Sequence, residues 1–246
     1  MLRKRRWRPV TAPLLMFQST MLMAQSTTEP AGGGLTVAPI QLSLADARRA
    51  VSTVVTNPGF EAITVQVRLV SWTMRGEEEV YAPAADVGFS PPMFRLEPHA
   101  SQAVRVVAKA PPGLVERSYR LIVDQLPLSN RPGQLQLPVR MILPVFIEPA
   151  AGQSRTPEIV WRARYEPQGG RVVVTAANRG AVHARIVNLA ADDGRGTITI
   201  ARGLSGYGLA GQSRDWSYRP GRVPARLTIT AEGGATPIRV TVPVEQ

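Results

Sequence analysis

The chain of 246 residues has no cysteine. That excludes disulfide staples, thiol nucleophiles and Cys-based metal sites, so the fold must hold together by burial alone. Only two histidines occur, His99 and His183. Neither lies at a metal-ligand spacing or beside a Gly-x-Ser-x-Gly elbow. No phosphate-cradling glycine loop is present. No segment keeps an apolar stripe at 3.6-residue spacing, which argues against helical architecture. Glu77-Glu78-Glu79 reads as a solvated hairpin tip and not as a catalytic or calcium-binding cluster. Together these absences point away from an enzyme, and neither a metal nor any other cofactor is expected.

Acid is also missing from residues 1–24, where Arg3, Lys4, Arg5, Arg6 and Arg8 crowd the start. These five carry nearly half of the formal net charge of +11. The remainder is scattered, with no basic run and no aromatic ladder, so nucleic acid is not an expected partner. The basic start precedes the apolar patch APLLMFQSTMLMA, and Ala24 offers a small residue at a cleavage point. This is the pattern of an export signal over residues 1–24. The patch is interrupted by Gln18, Ser19 and Thr20 and is too short to span a bilayer, so no stable membrane insertion is expected. Residues 25–34, QSTTEPAGGG, read as a flexible leader.

What is plentiful is proline (22) and glycine (21), which punctuate many short extended segments. Residues 35–44 are extended with one proline. Residues 51–56 run into the turn Asn57-Pro58-Gly59. Ile63, Val65, Val67 and Leu69 then alternate with polar neighbours until Arg75-Gly76-Glu77 ends the hairpin. Val104 and Val106 share one face of a later strand, 119–123 follows, and a long segment closes the region. About seven strands over residues 35–150, with turns every 8–12 residues, indicate an immunoglobulin-like sandwich. A linker near 149–157 separates a second strand-rich region at 157–246. There Asn178-Arg179-Gly180 echoes Asn57-Pro58-Gly59. The expected fold is all-β: two immunoglobulin-like β-sandwich domains joined by a short hinge.

The segment Gln134–Glu148, QLQLPVRMILPVFIE, has apolar residues at every odd position from Leu135 to Ile147. Pro138 and Pro144 argue against a central strand, because proline cannot donate to a ladder. An edge strand with a bare apolar row is normally avoided, since it invites pairing with another chain. Leu143, Val145 and Ile147 are expected to face their own core. Leu135, Leu137 and Val139 are expected to lie beyond it, available to a partner, with Met141 at the boundary.

These elements resemble the PapD-like periplasmic pilus chaperones of the chaperone–usher pathway. The resemblance rests on VAPIQLSL, VVTNPG, SPPMFRLEPHASQAVRV, ERSYRLIVDQLP and LQLPVRMILPVFIEP, in family order. A weaker second-domain match lies in NRGAVHARI and YGLAGQSRDW. That last segment and the LPVF ending are most similar to the archaic branch, which handles spore-coat-U-type subunits. The resemblance implies a boomerang arrangement of the two sandwiches, a periplasmic location, and donor-strand complementation. In that mechanism the last strand of the first domain fills the gap in an incomplete pilus or fimbrial subunit, by β-augmentation. The subunit is then delivered to an outer-membrane usher. It implies Leu135, Leu137, Val139 and Met141 as donor residues. It also implies a pair of basic residues gripping the subunit's C-terminal carboxylate, but the two family positions fall on Gln41 and Pro144, neither of them basic. Arg140, Arg120 and Arg117 are the nearby substitutes, since a guanidinium fork matches a carboxylate. The competing reading is a two-domain structural or adhesive surface protein.

Overall fold

The computed structural model describes residues 34–127, 137–233 and 236–246. The expected signal, nearly all of the leader and Leu135 lie outside these residues. Every regular element described is a strand.

Ten strands build the first sandwich: β1 (Thr36–Ala38), β2 (Leu42–Leu44), β3 (Ala50–Thr56), β4 (Ile63–Arg75), β5 (Glu78–Pro83), β6 (Val87–Ser90), β7 (Met93–Leu96), β8 (Ser101–Ala108), β9 (Arg117–Leu126) and β10 (Arg140–Ile147). One sheet runs β1-β3-β8-β6; the other runs β2-β10-β9-β4-β5, with β7 also paired to β4. The alternation in β4 works as the sequence implies. Ile63, Val65 and Val67 turn inward and meet Val104 and Val106 of β8, Leu121 and Val123 of β9, and Leu143, Val145 and Ile147 of β10 in one buried cluster. Each such side chain contributes roughly 1.5–3 kcal/mol by leaving water. The proline pair Pro91-Pro92 sits between β6 and β7, and the Pro92 carbonyl accepts from the Val67 N–H at 2.8 Å. The expected long last strand is shorter: it begins at Arg140, after Pro138, though the Val139 carbonyl still accepts from the Gln125 N–H at 2.9 Å.

Seven further strands form the second sandwich: β11 (Ile159–Glu166), β12 (Arg171–Asn178), β13 (Ala184–Asp192), β14 (Thr197–Gly208), β15 (Ser213–Tyr218), β16 (Arg226–Gly233) and β17 (Thr236–Glu245). They make one curled sheet, β14-β13-β16-β17-β11-β12-β15. The curl brings its two ends together, and Trp216 Nε1 donates to the Ser205 carbonyl at 3.0 Å across that closure. Register shifts in the β13–β14 pairing, flanking Val187 and Leu189, supply the bend. Leu189, Leu227, Ile229, Trp161 and Trp216 fill the interior.

The echoed turns are one device used twice. Asn57 and Asn178 are both buried. In each case Nδ2 donates at 2.7 Å to the carbonyl four residues on, Glu61 or Val182, while Oδ1 accepts from the N–H two residues on, Gly59 or Gly180. Each Nδ2 also reaches a distant carbonyl: Leu96 and Glu97 for Asn57, Gly208 for Asn178.

Candidate functional site

The strand β10 is bordered unequally. On one side it pairs with β9 along its full length, from Arg140↔Asp124 to Ile147↔Arg117. On the other side β2 covers only Val145, Phe146 and Ile147. Residues Arg140 to Pro144 therefore have an open edge among the described residues. Antiparallel strands alternate hydrogen-bonded and non-bonded pairs. Because Val139 bonds to Gln125, the odd residues aim their backbone groups at β9, and the N–H and C=O of Arg140 and Ile142 aim at the open edge. Pro144 has no N–H to offer there, so the edge ends where β2 begins.

Of the four donor residues expected from sequence, Leu137 is 74% exposed. Val139 and Met141 are half-buried against their own core, and Leu135 lies outside the described residues. Ile142, on the outer face, is 44% exposed and lies opposite Ile122 of β9.

All three arginines proposed from sequence have acidic partners. Arg140 and Arg68 both bind Asp124, the latter at 2.7 Å. Burial pushes the Asp124 carboxyl up, but hydrogen bonds from Arg140 and Arg68 outweigh it and hold the group below its usual value. Arg120 lies directly across from Pro144. Its guanidinium reaches Glu79 at 2.7 Å and sits over the Trp72 ring at 3.4 Å, a cation–π contact. Glu79 also accepts from the Tyr81 hydroxyl at 2.6 Å and has Arg214 at 3.7 Å. Burial raises the Glu79 carboxyl, and the bonds from Arg120 and Tyr81 together with the Arg120 and Arg214 charges overcome it, leaving it lowered. Arg117 binds Asp86 and the Pro111 carbonyl. Asp86 also takes the Tyr119 hydroxyl at 2.6 Å, and burial pushes that phenol up. Asp124 thus faces two guanidinium groups, and Glu79 faces two, of which Arg214 also feels the charge of Glu77. The Arg117 cluster is balanced.

Glu79 corrects the reading of Glu77-Glu78-Glu79 as a merely solvated tip. On β5 it turns toward Arg120 of β9 and Arg214 of β15, and is the counterion of both. Gln41 is exposed, and Pro144 is buried.

The joint between the sandwiches is a packed elbow. Trp72 of β4, Phe146 of β10, Tyr207 of β14 and Leu209 form a separate buried cluster. Trp72 meets Tyr207 edge to face at 5.4 Å. The β4–β5 turn ties to the second sandwich by two bonds: Met74 N–H to Gln212 Oε1 at 2.8 Å, and Asp215 N–H to the Gly76 carbonyl at 3.0 Å. Arg214 reaches Glu79 across Gly206, where a Cβ would lie 2.6 Å from the guanidinium. The sequence reading found neither Arg214 nor Tyr207. Both sit in YGLAGQSRDW, and the only signal was that segment's likeness to the second domain of the family.

Two immunoglobulin-like sandwiches joined at such an elbow, with one strand left open beside it, define a two-domain all-β class. Residues 34–153 match the family model "Pili and flagellar-assembly chaperone, PapD N-terminal domain", so the first sandwich is a domain of this PapD-like kind. Solved structures share the fold. A chain of the CsuC–CsuE chaperone–tip adhesion subunit pre-assembly complex, from archaic chaperone–usher Csu pili of Acinetobacter baumannii, is 19% identical with a TM-score of 0.67, covering 87% of this chain and all of that one. The YadV chaperone is 13% identical with a TM-score of 0.60, covering 85% and 98%. A chain of the SafA pilin–SafB chaperone complex of Salmonella enterica is 16% identical with a TM-score of 0.57, covering 84% and 95%. No curated protein matches the sequence.

Among the described residues no helix is long and apolar enough to cross a membrane, and no cluster of three metal-binding side chains occurs.

Proposed function

We propose that this chain is a periplasmic chaperone that binds pilus or fimbrial subunits through the open edge of β10 and hands them to an outer-membrane usher. The observation that carries the reading is the uncovered stretch Arg140–Pro144, with backbone groups aimed outward and Leu137 exposed just before it. A client strand that pairs with that edge extends the sheet, and Leu137, Val139 and, at the boundary, Met141 are the side chains lent to the client's incomplete core. Leu135 completes the proposed donor set. Main-chain bonds supply pairing and the alternate apolar side chains supply selectivity. The relatives solved with a pilin and with a tip adhesion subunit support subunits as clients, and the likeness of YGLAGQSRDW and the LPVF ending to the archaic branch supports a client of spore-coat-U type.

Arg140 and Arg120 remain the proposed grip on the client's C-terminal carboxylate. Arg140 shares Asp124 with Arg68, and Arg120 shares Glu79 with Arg214, so each has donor capacity left for an incoming carboxylate. Arg117, already balanced by Asp86, ranks below them. Arg214 shares Glu79 with Arg120 and joins the second cluster.

The test is co-expression with a pilin-type subunit from the same organism, followed by recovery of both from the periplasm. Wild type is expected to keep the subunit soluble and to co-purify with it, and Leu137→Glu to lose it. A subunit soluble alone, or one captured equally by Leu137→Glu, would sink the strand-lending reading and favour a two-domain structural or adhesive protein.

A further inference from the structure

The strand β10 has its foot in the elbow. Phe146 comes two residues after Pro144 and points to the outer side of its sheet, yet it is fully buried. Its cover comes largely from the other domain. The His183 ring stacks on it at 3.7 Å with 9° between planes, Tyr207 stands 5.9 Å away, and Trp72 closes the remaining side at 6.2 Å. His183 is held in turn by the first domain. Its backbone N–H donates to Glu116 Oε1 at 3.1 Å, and its Nδ1 lies 2.8 Å from the same oxygen. The Glu116 N–H donates to the Ala181 carbonyl at 2.8 Å. The contacts form a closed circuit: Glu116 fixes the imidazole plane, and the imidazole face fixes Phe146.

We propose that His183 is a positioning residue for β10, through which the second domain sets the twist and register of the open edge. Among the described residues, the strand is tied over Arg140–Pro144 on one side only, by β9. A strand tied on one side samples more conformations, and a partner that pairs with it must order them. A clamp at Phe146, immediately below the open stretch, removes that freedom in advance. This gives the second sandwich a task beyond bulk, and it gives one of the chain's two histidines a role that is neither catalytic nor metal-binding. The inference borrows from the strand-lending reading only the use to which the edge is put.

The experiment needs no client. Backbone amide exchange is followed in the exported chain by NMR, for wild type, His183→Ala and His183→Phe. The Met141, Leu143 and Val145 amides, which face β9, are expected to exchange on the order of tenfold faster in His183→Ala, with β3 and β8 in the opposite sheet unchanged. His183→Phe keeps the stacked face and is expected to recover most of the protection. Unchanged β10 amides in His183→Ala, or an acceleration shared equally by β3 and β8, would overturn the proposal. If His183→Ala does not accumulate, Glu116→Gln and Glu116→Ala replace it. Gln retains an acceptor for the His183 N–H and is expected to match wild type, while Ala frees β10. Equal exchange in those two variants would also overturn it. Failure of subunit capture leaves these results standing, and the converse holds, so the two readings fail separately.

Discussion

Asn57 and Asn178 solve the same local problem in both sandwiches: each satisfies carbonyls and an amide that the end of a strand leaves without ladder partners. Truncation to alanine orphans several buried groups at once. Asn57→Ala and Asn178→Ala are each expected to cost about 1–3 kcal/mol, measured by urea unfolding. A loss below about 0.5 kcal/mol, the range of ordinary surface changes, would show that water replaces the amide. The turn chemistry was visible in the sequence as two Asn-x-Gly motifs. The distant partners were not, because Leu96 and Gly208 lie 39 and 30 residues away and only the fold brings them near. Gly206 is a second residue whose meaning is spatial. At φ 142° and with Arg214 pressed against it, Gly206→Ala is expected to dislodge the guanidinium from Glu79 and to destabilise by about 1–3 kcal/mol.

At the scale of an element, β10 separates what pattern reveals from what it hides. The odd-numbered apolar row and the two prolines announced an edge strand facing a core, and Leu143, Val145 and Ile147 face that core. Where the strand starts, and which of its backbone groups point outward, depends on pairing with β9, and no local pattern encodes that. The strands β5, β6, β7 and β15 carry no such signal, because EEVYAP, VGFS, MFRL and SRDWSY have too few alternating apolar residues to register as strands. Backbone direction in β10 makes a sharp prediction. Ile142→Pro removes an N–H that faces the open edge, so the fold should persist while subunit capture is lost. Leu143→Pro removes an N–H that bonds to β9 and should unfold the first sandwich. Circular dichroism and co-purification read both outcomes. If Ile142→Pro captures subunits as well as wild type, main-chain pairing at this edge is not how they bind.

At the scale of the whole molecule, the elbow decides whether two sandwiches behave as one body. The sequence suggested only a short linker near 149–157, because Trp72, Glu79, Phe146, His183, Tyr207 and Arg214 meet from six separate segments. The charged part of that joint carries a pH signature. Glu79 is lowered in the fold, so it contributes stability that is present above the ordinary carboxylate pKa and is lost as pH falls through its lowered value. Asp124 is lowered in the same direction and loses its contribution in the same acid range. Thermal unfolding should therefore be little changed by pH near neutrality and fall in acid, below about pH 4. Glu79→Gln removes the counterion of Arg120 and Arg214 at every pH. It should melt lower than wild type at pH 7, by about 2–4 °C for each kcal/mol lost. As acid neutralises Glu79 in wild type, the gap should narrow toward pH 3. A gap of the same size at pH 7 and pH 3 would mean that Glu79 acts through packing alone, and that the aromatic cluster holds the elbow without help from its charges.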